Sequence, residues 1–238
     1  MKNRFLTSRC MPVAVWGFWD VLILVVGTIL LALIGVLVAF SVFGKGNTSL
    51  VLISCLWDGA LILGPILWLR KKYGLSLNVL GLQNGSLGVF TGVLVGVCAG
   101  LVWTFGISEL VRKADPGVAL RAAHYPHYLL LSMLFTFNGF HSIVVAPISE
   151  EIMFRGFVYG YLRKRLGIIA GLLAQAFIFG VLHLSQYRQD LRIGTMVSYL
   201  IVGVILGLLY ERTGSLIASI ACHSVINYFS WVFIIVSR

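Results

Sequence analysis

Long apolar runs broken by short polar or glycine-bearing turns set the pattern of this chain. A bilayer-crossing helix needs about 20 mostly apolar residues, and the pattern predicts eight helices. The first four cover 16–43, 50–69, 87–111 and 128–145. Gly44-Lys45-Gly46-Asn47, Arg70-Lys71-Lys72 and the polar loop 112–126 separate them, and Pro147 ends the fourth. The next two, 149–166 and 168–184, form a hairpin about Gly167, and 195–210 and 216–236 follow, turning at Gly214. The segment 73–83 is too short and too mixed to cross, so it is expected at the membrane interface. No alternating strand pattern occurs, and lipid offers open sheet edges no partner. The expected fold is therefore all-α, a polytopic membrane bundle of about eight helices. Residues 1–126 would carry the first three, and 127–238 the remaining core.

Composition points the same way. Of 238 residues, 59% are hydrophobic and 11% charged, against about a quarter charged in an ordinary soluble domain. Mean hydropathy is +0.98. A soluble enzyme, a disordered chain and a DNA-binding module are excluded, so the net charge of +10 is not a nucleic-acid footprint. Lys and Arg gather instead in loops and at anionic lipid surfaces. The expected location is an integral, multi-pass protein of the cell membrane. Its first apolar run is too long for a signal-peptide core and lacks a small-residue cleavage pattern. With eight crossings, nine basic residues fall on the N-terminal side and eight on the other, an even split. The usual dominance of the first helix favours a cytoplasmic N-terminus. Cys10, Cys55, Cys98 and Cys222 form no CxxC or secreted framework, so neither disulfides nor a zinc knuckle is read.

Glycines recur every four residues at 88, 92, 96 and 100, and in the pairs 156/160 and 203/207. Such small-xxx-small faces let membrane helices approach closely, and packing is the role assigned to them.

Ionisable groups within apolar helices are costly and mark function by default. Asp20 and Glu109 lie near span ends and read as structural. Asp58 is deeper and could take a basic partner. Glu150-Glu151-x-x-x-Arg155 puts three charges in six residues. Glu151 and Arg155, four apart, share a face and can pair. Glu150 points about 100° away. The bland alternative is a helix start, with Ser149 as cap and two acids complementing the dipole. Phe179-x-x-x-His183 closes the next helix. Glu150 and His183 are each about 16 residues from the intervening turn, so an antiparallel hairpin sets them at similar depth. His223-x-x-x-Asn227 puts two polar groups on one face of the last helix. A carboxylate and an imidazole can polarise water and carry its proton, while a second imidazole and an amide can stabilise an oxyanion. No G-x-S-x-G or H-E-x-x-H occurs. Glu150, His183 and His223 also make a His₂Glu donor set that zinc could use.

These three motifs, in this order on hydrophobic helices, resemble the CAAX protease and bacteriocin-processing (CPBP, or Abi) family, whose best-known branch is the type II CAAX prenyl endopeptidase. The resemblance covers about 128–236. It implies an intramembrane glutamate-dependent endopeptidase acting, without a cofactor, on membrane-associated or prenylated proteins and peptides. By that resemblance Glu150 is the general base, His183 helps activate water, His223 and Asn227 form the oxyanion site, and Glu151 and Arg155 shape it. The lipid bilayer and the substrate are the implied partners, and nucleic acid is not. Two alternatives stand beside it. One is a non-enzymatic immunity or scaffold protein retaining the fold. The other is a proton-coupled transporter, for which no inverted repeat is visible.

Overall fold

The computed structural model describes residues 14–82, 85–102, 137–186 and 192–236. Seven helices lie among them: α1 (Phe18–Phe43), α2 (Asn47–Tyr73), α3 (Gly85–Val102), α4 (137–166), α5 (168–182), α6 (Arg192–Thr213) and α7 (Leu216–Val236). Two short 3₁₀ turns, Leu77–Leu80 and His183–Gln186, complete the list. No strand occurs among the described residues. Five helical runs are long and apolar enough to span a bilayer, and 216–230 is a shorter apolar one. The chain is an integral membrane protein with an all-α fold.

The expected break at Pro147 is absent. The predicted fourth and fifth helices are one, α4, and the predicted count of eight is not reached among the described residues. The backbone reason lies just before the proline. His141–Val145 forms a π-helical turn in which Ala146 N–H reaches the His141 carbonyl. Pro147 has no N–H to give, and a π turn re-registers the ladder so that the helix continues through it. Ser149 is consequently interior to a helix, and the capping alternative for Glu150 and Glu151 fails with it. A second π stretch, Ile152–Tyr159, follows directly, with every residue buried. The predicted turn at Gly167 is present: its φ of +81° is open to glycine and strained for other residues.

Residue contacts divide the chain into two compact units, each discontinuous in sequence. One contains Met1–Gln83 and Ile148–Leu216, the other Asn84–Pro147 and Ile217–Arg238.

In the first unit, α1 is apolar all round and buries one stripe, Asp20, Leu24, Thr28, Gly35 and Ala39. Its other faces carry exposed leucines and isoleucines such as Leu30, Leu33, Ile34 and Leu37, as a lipid-facing helix should. Asp20 is almost fully buried and accepts from Gly17 N–H at the helix start, Trp68 Nε1, Lys72 Nζ and Tyr73 Oη. It thereby ties the start of α1 to the end of α2, which fits its structural reading. The same end of α1 meets α4: Trp16 donates to the Phe157 carbonyl at 2.9 Å and stacks on that ring. A Cβ on Gly160 would press on Trp16.

The end of α4 in turn meets the end of α6. Glu211 accepts from Tyr159 Oη at 2.7 Å and from Arg163 at 2.8 and 3.0 Å. Arg70-Lys71-Lys72 and Arg163-Lys164-Arg165 therefore lie at one end of the unit, whereas separate crossings either side of Pro147 had set them on opposite sides. The 3₁₀ segment also docks at this end. Leu80 is fully buried beside Gly156, its carbonyl accepts from Tyr210 Oη, and the Gly81 carbonyl accepts from Leu216 N–H. It is built into the helix ends. Gly203 and Gly207 approach Ala176, Leu172 and Gln175 of α5 too closely for a side chain.

In the second unit the four-residue glycine repeat packs α3 on α7. A Cβ on Gly92 would run into the Ala218 carbonyl, one on Gly96 into Cys222 and Val225, and one on Gly100 into Phe229. The packing role read from the spacing is the one observed. Cys55, Cys98 and Cys222 are free thiols. Glu109, Cys10 and the loop 112–126 lie outside the described residues.

Candidate active site

The Gly167 turn reverses the chain, and the equal arms on either side bring Glu150 and His183 together. His183 Nε2 is 3.8 Å from Glu150 Oε1, with both side chains largely buried. One water can bridge that separation. His183 Nδ1 lies 2.7 Å from the Phe179 carbonyl. A carbonyl only accepts, so Nδ1 carries a proton, and in its neutral form the His183 imidazole would present the lone pair of Nε2 to Glu150. Two acceptors thus converge on one position. A water donating a hydrogen to each would have its oxygen lone pairs turned outward.

Phe179 explains the spacing of its motif twice over. Four residues before His183, its carbonyl fixes the imidazole tautomer. Its ring also packs against the imidazole, 4.5 Å between centroids, and takes the Arg155 guanidinium on its face at 4.6 Å. Arg155 Nη1 donates to Glu151 Oε1 at 2.7 Å, both side chains having no solvent exposure. The pair expected from the i,i+4 spacing is therefore present. Arg155, Phe179 and His183 form one continuous stack. Its last member is Tyr199 of α6, whose ring lies parallel to the imidazole at 3.9 Å. The imidazole is held by Phe179 and Tyr199 and by a backbone hydrogen bond, with its Nε2 directed at a carboxylate.

Ser149, beside Glu150, donates its hydroxyl to buried Asp58 of α2. A hydroxyl is thus one of the partners of Asp58. It anchors α4 next to the first glutamate. Neither Tyr199 nor Glu211 was singled out in the sequence. Tyr199 belongs to a segment with no charged residue within four positions to flag it, and Glu211 sits beside Arg212 at a helix end, where an acid draws no notice.

His223 and Asn227 lie on α7 in the second unit. His223 is buried. Asn227 Nδ2 donates to the Ser142 carbonyl at 2.8 Å, within the π turn that precedes Pro147. Among the described residues no group of three or more His, Cys, Asp or Glu side chains is placed to hold a metal ion.

Residues 132–229 match a family model described as "Type II CAAX prenyl endopeptidase Rce1-like". These residues are similar to that family over 98 of the chain's 238 positions. A curated relative, CAAX prenyl protease 2 of Homo sapiens, is 32% identical over 98 residues, covering 36% of this chain and 30% of that protein. The chain therefore matches about a third of that relative's length. No solved structure matches. The matched segment holds Glu150, Glu151, Arg155, His183, His223 and Asn227, with the Phe179 and Tyr199 rings that pack on the imidazole.

Proposed function

We propose that this protein is an intramembrane endopeptidase that hydrolyses peptide bonds of membrane-associated proteins or peptides, prenylated CAAX proteins among them. The observation that carries the reading is the Glu150–His183 pair, 3.8 Å apart, with the imidazole tautomer fixed by the Phe179 carbonyl. In the proposed reaction, water bound between Glu150 and Nε2 attacks the scissile carbonyl carbon. Glu150 takes one water proton as the C–O bond forms. The same proton then passes to the amide nitrogen as the C–N bond breaks, leaving a carboxylic acid, which keeps the second water proton, and an amine; transfer of that proton between them gives a carboxylate and an ammonium group. General acid–base help of this kind contributes about 10²–10⁴-fold.

His223 and Asn227 are proposed as donors to the carbonyl oxygen while it carries negative charge. Glu151 and Arg155 are positioning residues: they hold the Phe179 ring against the imidazole. No cofactor enters the proposed chemistry. Zinc held by Glu150, His183 and His223 is the competing ligand chemistry, and chelation separates the two. The Rce1-like match supports the substrate class, and the bilayer is the partner that the apolar helices require.

The test is cleavage of a farnesylated CAAX peptide, and of an unprenylated membrane-anchored peptide precursor, by the full chain in lipid nanodiscs. The reading expects cleavage of at least one, lost in Glu150→Gln and His183→Ala. An unchanged rate in Glu150→Gln would sink it.

A further inference from the structure

We propose that the groove between α1 and α2 binds one anionic phospholipid, with an acyl chain lying in the groove and the phosphate against Lys71. None of the residues lining it takes part in the Glu150–His183 pair, and the binding is independent of peptide cleavage.

The groove has a volume of about 400 Å³ and is lined by Leu24 of α1 and by Gly64, Leu67, Trp68, Lys71 and Lys72 of α2. Small-molecule sites occupy about 300–1,000 Å³. The α2 residues fall at i, i+3, i+4, i+7 and i+8, a single stripe along one helix face. Gly64 gives the stripe its depth: it carries no side chain, and Leu24 Cδ2 lies 3.5 Å from where a Cβ would stand. Leu67 is half exposed. The deep part of the groove is therefore apolar and open to lipid chains. What selects one lipid over another is the charge at its mouth.

The two cations there are unequal. Lys72 is already engaged: its Nζ pairs with buried Asp20 and lies 5.2 Å from the centre of the Trp68 ring. Asp20 also accepts from Gly17 N–H, Trp68 Nε1 and Tyr73 Oη, so the cluster joins α1 to α2 and holds the mouth in shape. Two lysines against one carboxylate leave one positive charge unmatched, that of Lys71. Lys71 is exposed and has no ion pair or hydrogen bond among the described residues. Its ammonium offers three N–H donors to a phosphodiester, which carries one negative charge. A zwitterionic headgroup brings its own cation to the same place and gains less. The order along the groove is that of a phospholipid. Gly64 and Leu67 lie deeper in the span, the Trp68 indole follows at the level such rings favour, and the lysines come last. Lysine stems cover apolar surface while their ammoniums reach the headgroups.

The experiment uses the full chain in phosphatidylcholine nanodiscs and reads quenching of tryptophan fluorescence by a lipid with brominated acyl chains. That lipid is either phosphatidylglycerol or phosphatidylcholine, titrated from a low mole fraction. Brominated phosphatidylglycerol should quench the native protein at an about fivefold lower mole fraction, the advantage of one basic side chain near an anionic headgroup. In Trp68→Phe the preference should vanish with the fluorophore that reports it. Lys71→Gln should abolish it, as should Gly64→Leu, which fills the groove with every cation in place. Arg70→Gln, beside Lys71 but off the groove, should retain it. Equal quenching of the native protein by the two lipids overturns the site. So does a preference that survives Trp68→Phe, Lys71→Gln or Gly64→Leu. A preference that falls as far in Arg70→Gln as in Lys71→Gln marks diffuse attraction to a basic helix end and also overturns it. Millimolar inorganic phosphate should leave the preference intact, and its loss would give the mouth to a soluble anion instead of a lipid.

Discussion

Glu151 and Arg155 make an ion pair with no solvent exposure, 2.7 Å between Nη1 and Oε1. At an effective dielectric of about 20 the attraction at that distance is about 6 kcal/mol, most of it offset by the cost of taking both ions out of water. The intact pair is therefore worth little net, but either ion left alone is expensive. Arg155→Met keeps much of the volume over the Phe179 ring and takes the guanidinium from a buried carboxylate. Glu151→Gln takes the carboxylate from a buried guanidinium. Breaking a buried pair from one side costs about 3–5 kcal/mol. At about 2–4 °C per kcal/mol for a chain of this size, each single variant should lower the unfolding midpoint by roughly 6–20 °C. The double variant Glu151→Gln/Arg155→Met buries no charge at this position and should recover most of the loss. The assay is thermal unfolding of the purified protein in one lipid–detergent mixture, followed by tryptophan fluorescence, for all four proteins. Single variants within 1 °C of the native midpoint, or a double variant whose loss is the sum of the singles, would refute the buried-pair account.

Three further outcomes follow from the site and the packing. Tyr199→Ala removes one face of the His183 stack, worth about 0.5–1.5 kcal/mol, so the turnover rate should fall about 2–10-fold with KM little changed, and Tyr199→Phe should restore it. Gly92→Ala forces a Cβ onto the Ala218 carbonyl and should cost about 1–3 kcal/mol in thermal unfolding, whereas Gly59→Ala, with open space around it, should cost far less. Peptide cleavage should persist after prolonged dialysis against a strong chelator, and loss of activity restored by zinc would replace the glutamate–histidine mechanism with a metal one.

Local geometry was the readable part of this protein. The Glu151–Arg155 contact follows from four-residue spacing, and the Glu150–His183 approach from equal distances to a glycine turn. The glycine repeat predicted close helix contacts because a missing side chain leaves a groove whatever the partner is. Other features depend on contacts that no spacing encodes. Pro147 reads as a helix end, yet the π turn at His141–Val145 absorbs its missing N–H. That one backbone adjustment joined two predicted spans and brought the two basic triplets to one end. Tyr199 packs on His183, and Glu211 binds Tyr159 and Arg163, through approaches between helices far apart in sequence. The double use of Phe179, by carbonyl and by ring, needed three-dimensional placement before its four-residue spacing to His183 acquired a chemical reason.

The central claim is that Glu150 is the base that activates water. Its most direct test compares cleavage by the native protein and Glu150→Gln in the same nanodiscs, on a substrate that the native protein cuts, with unfolding midpoints measured alongside. The account predicts a fall of at least about 100-fold with the midpoint held. Full activity in Glu150→Gln at an unchanged midpoint would contradict it.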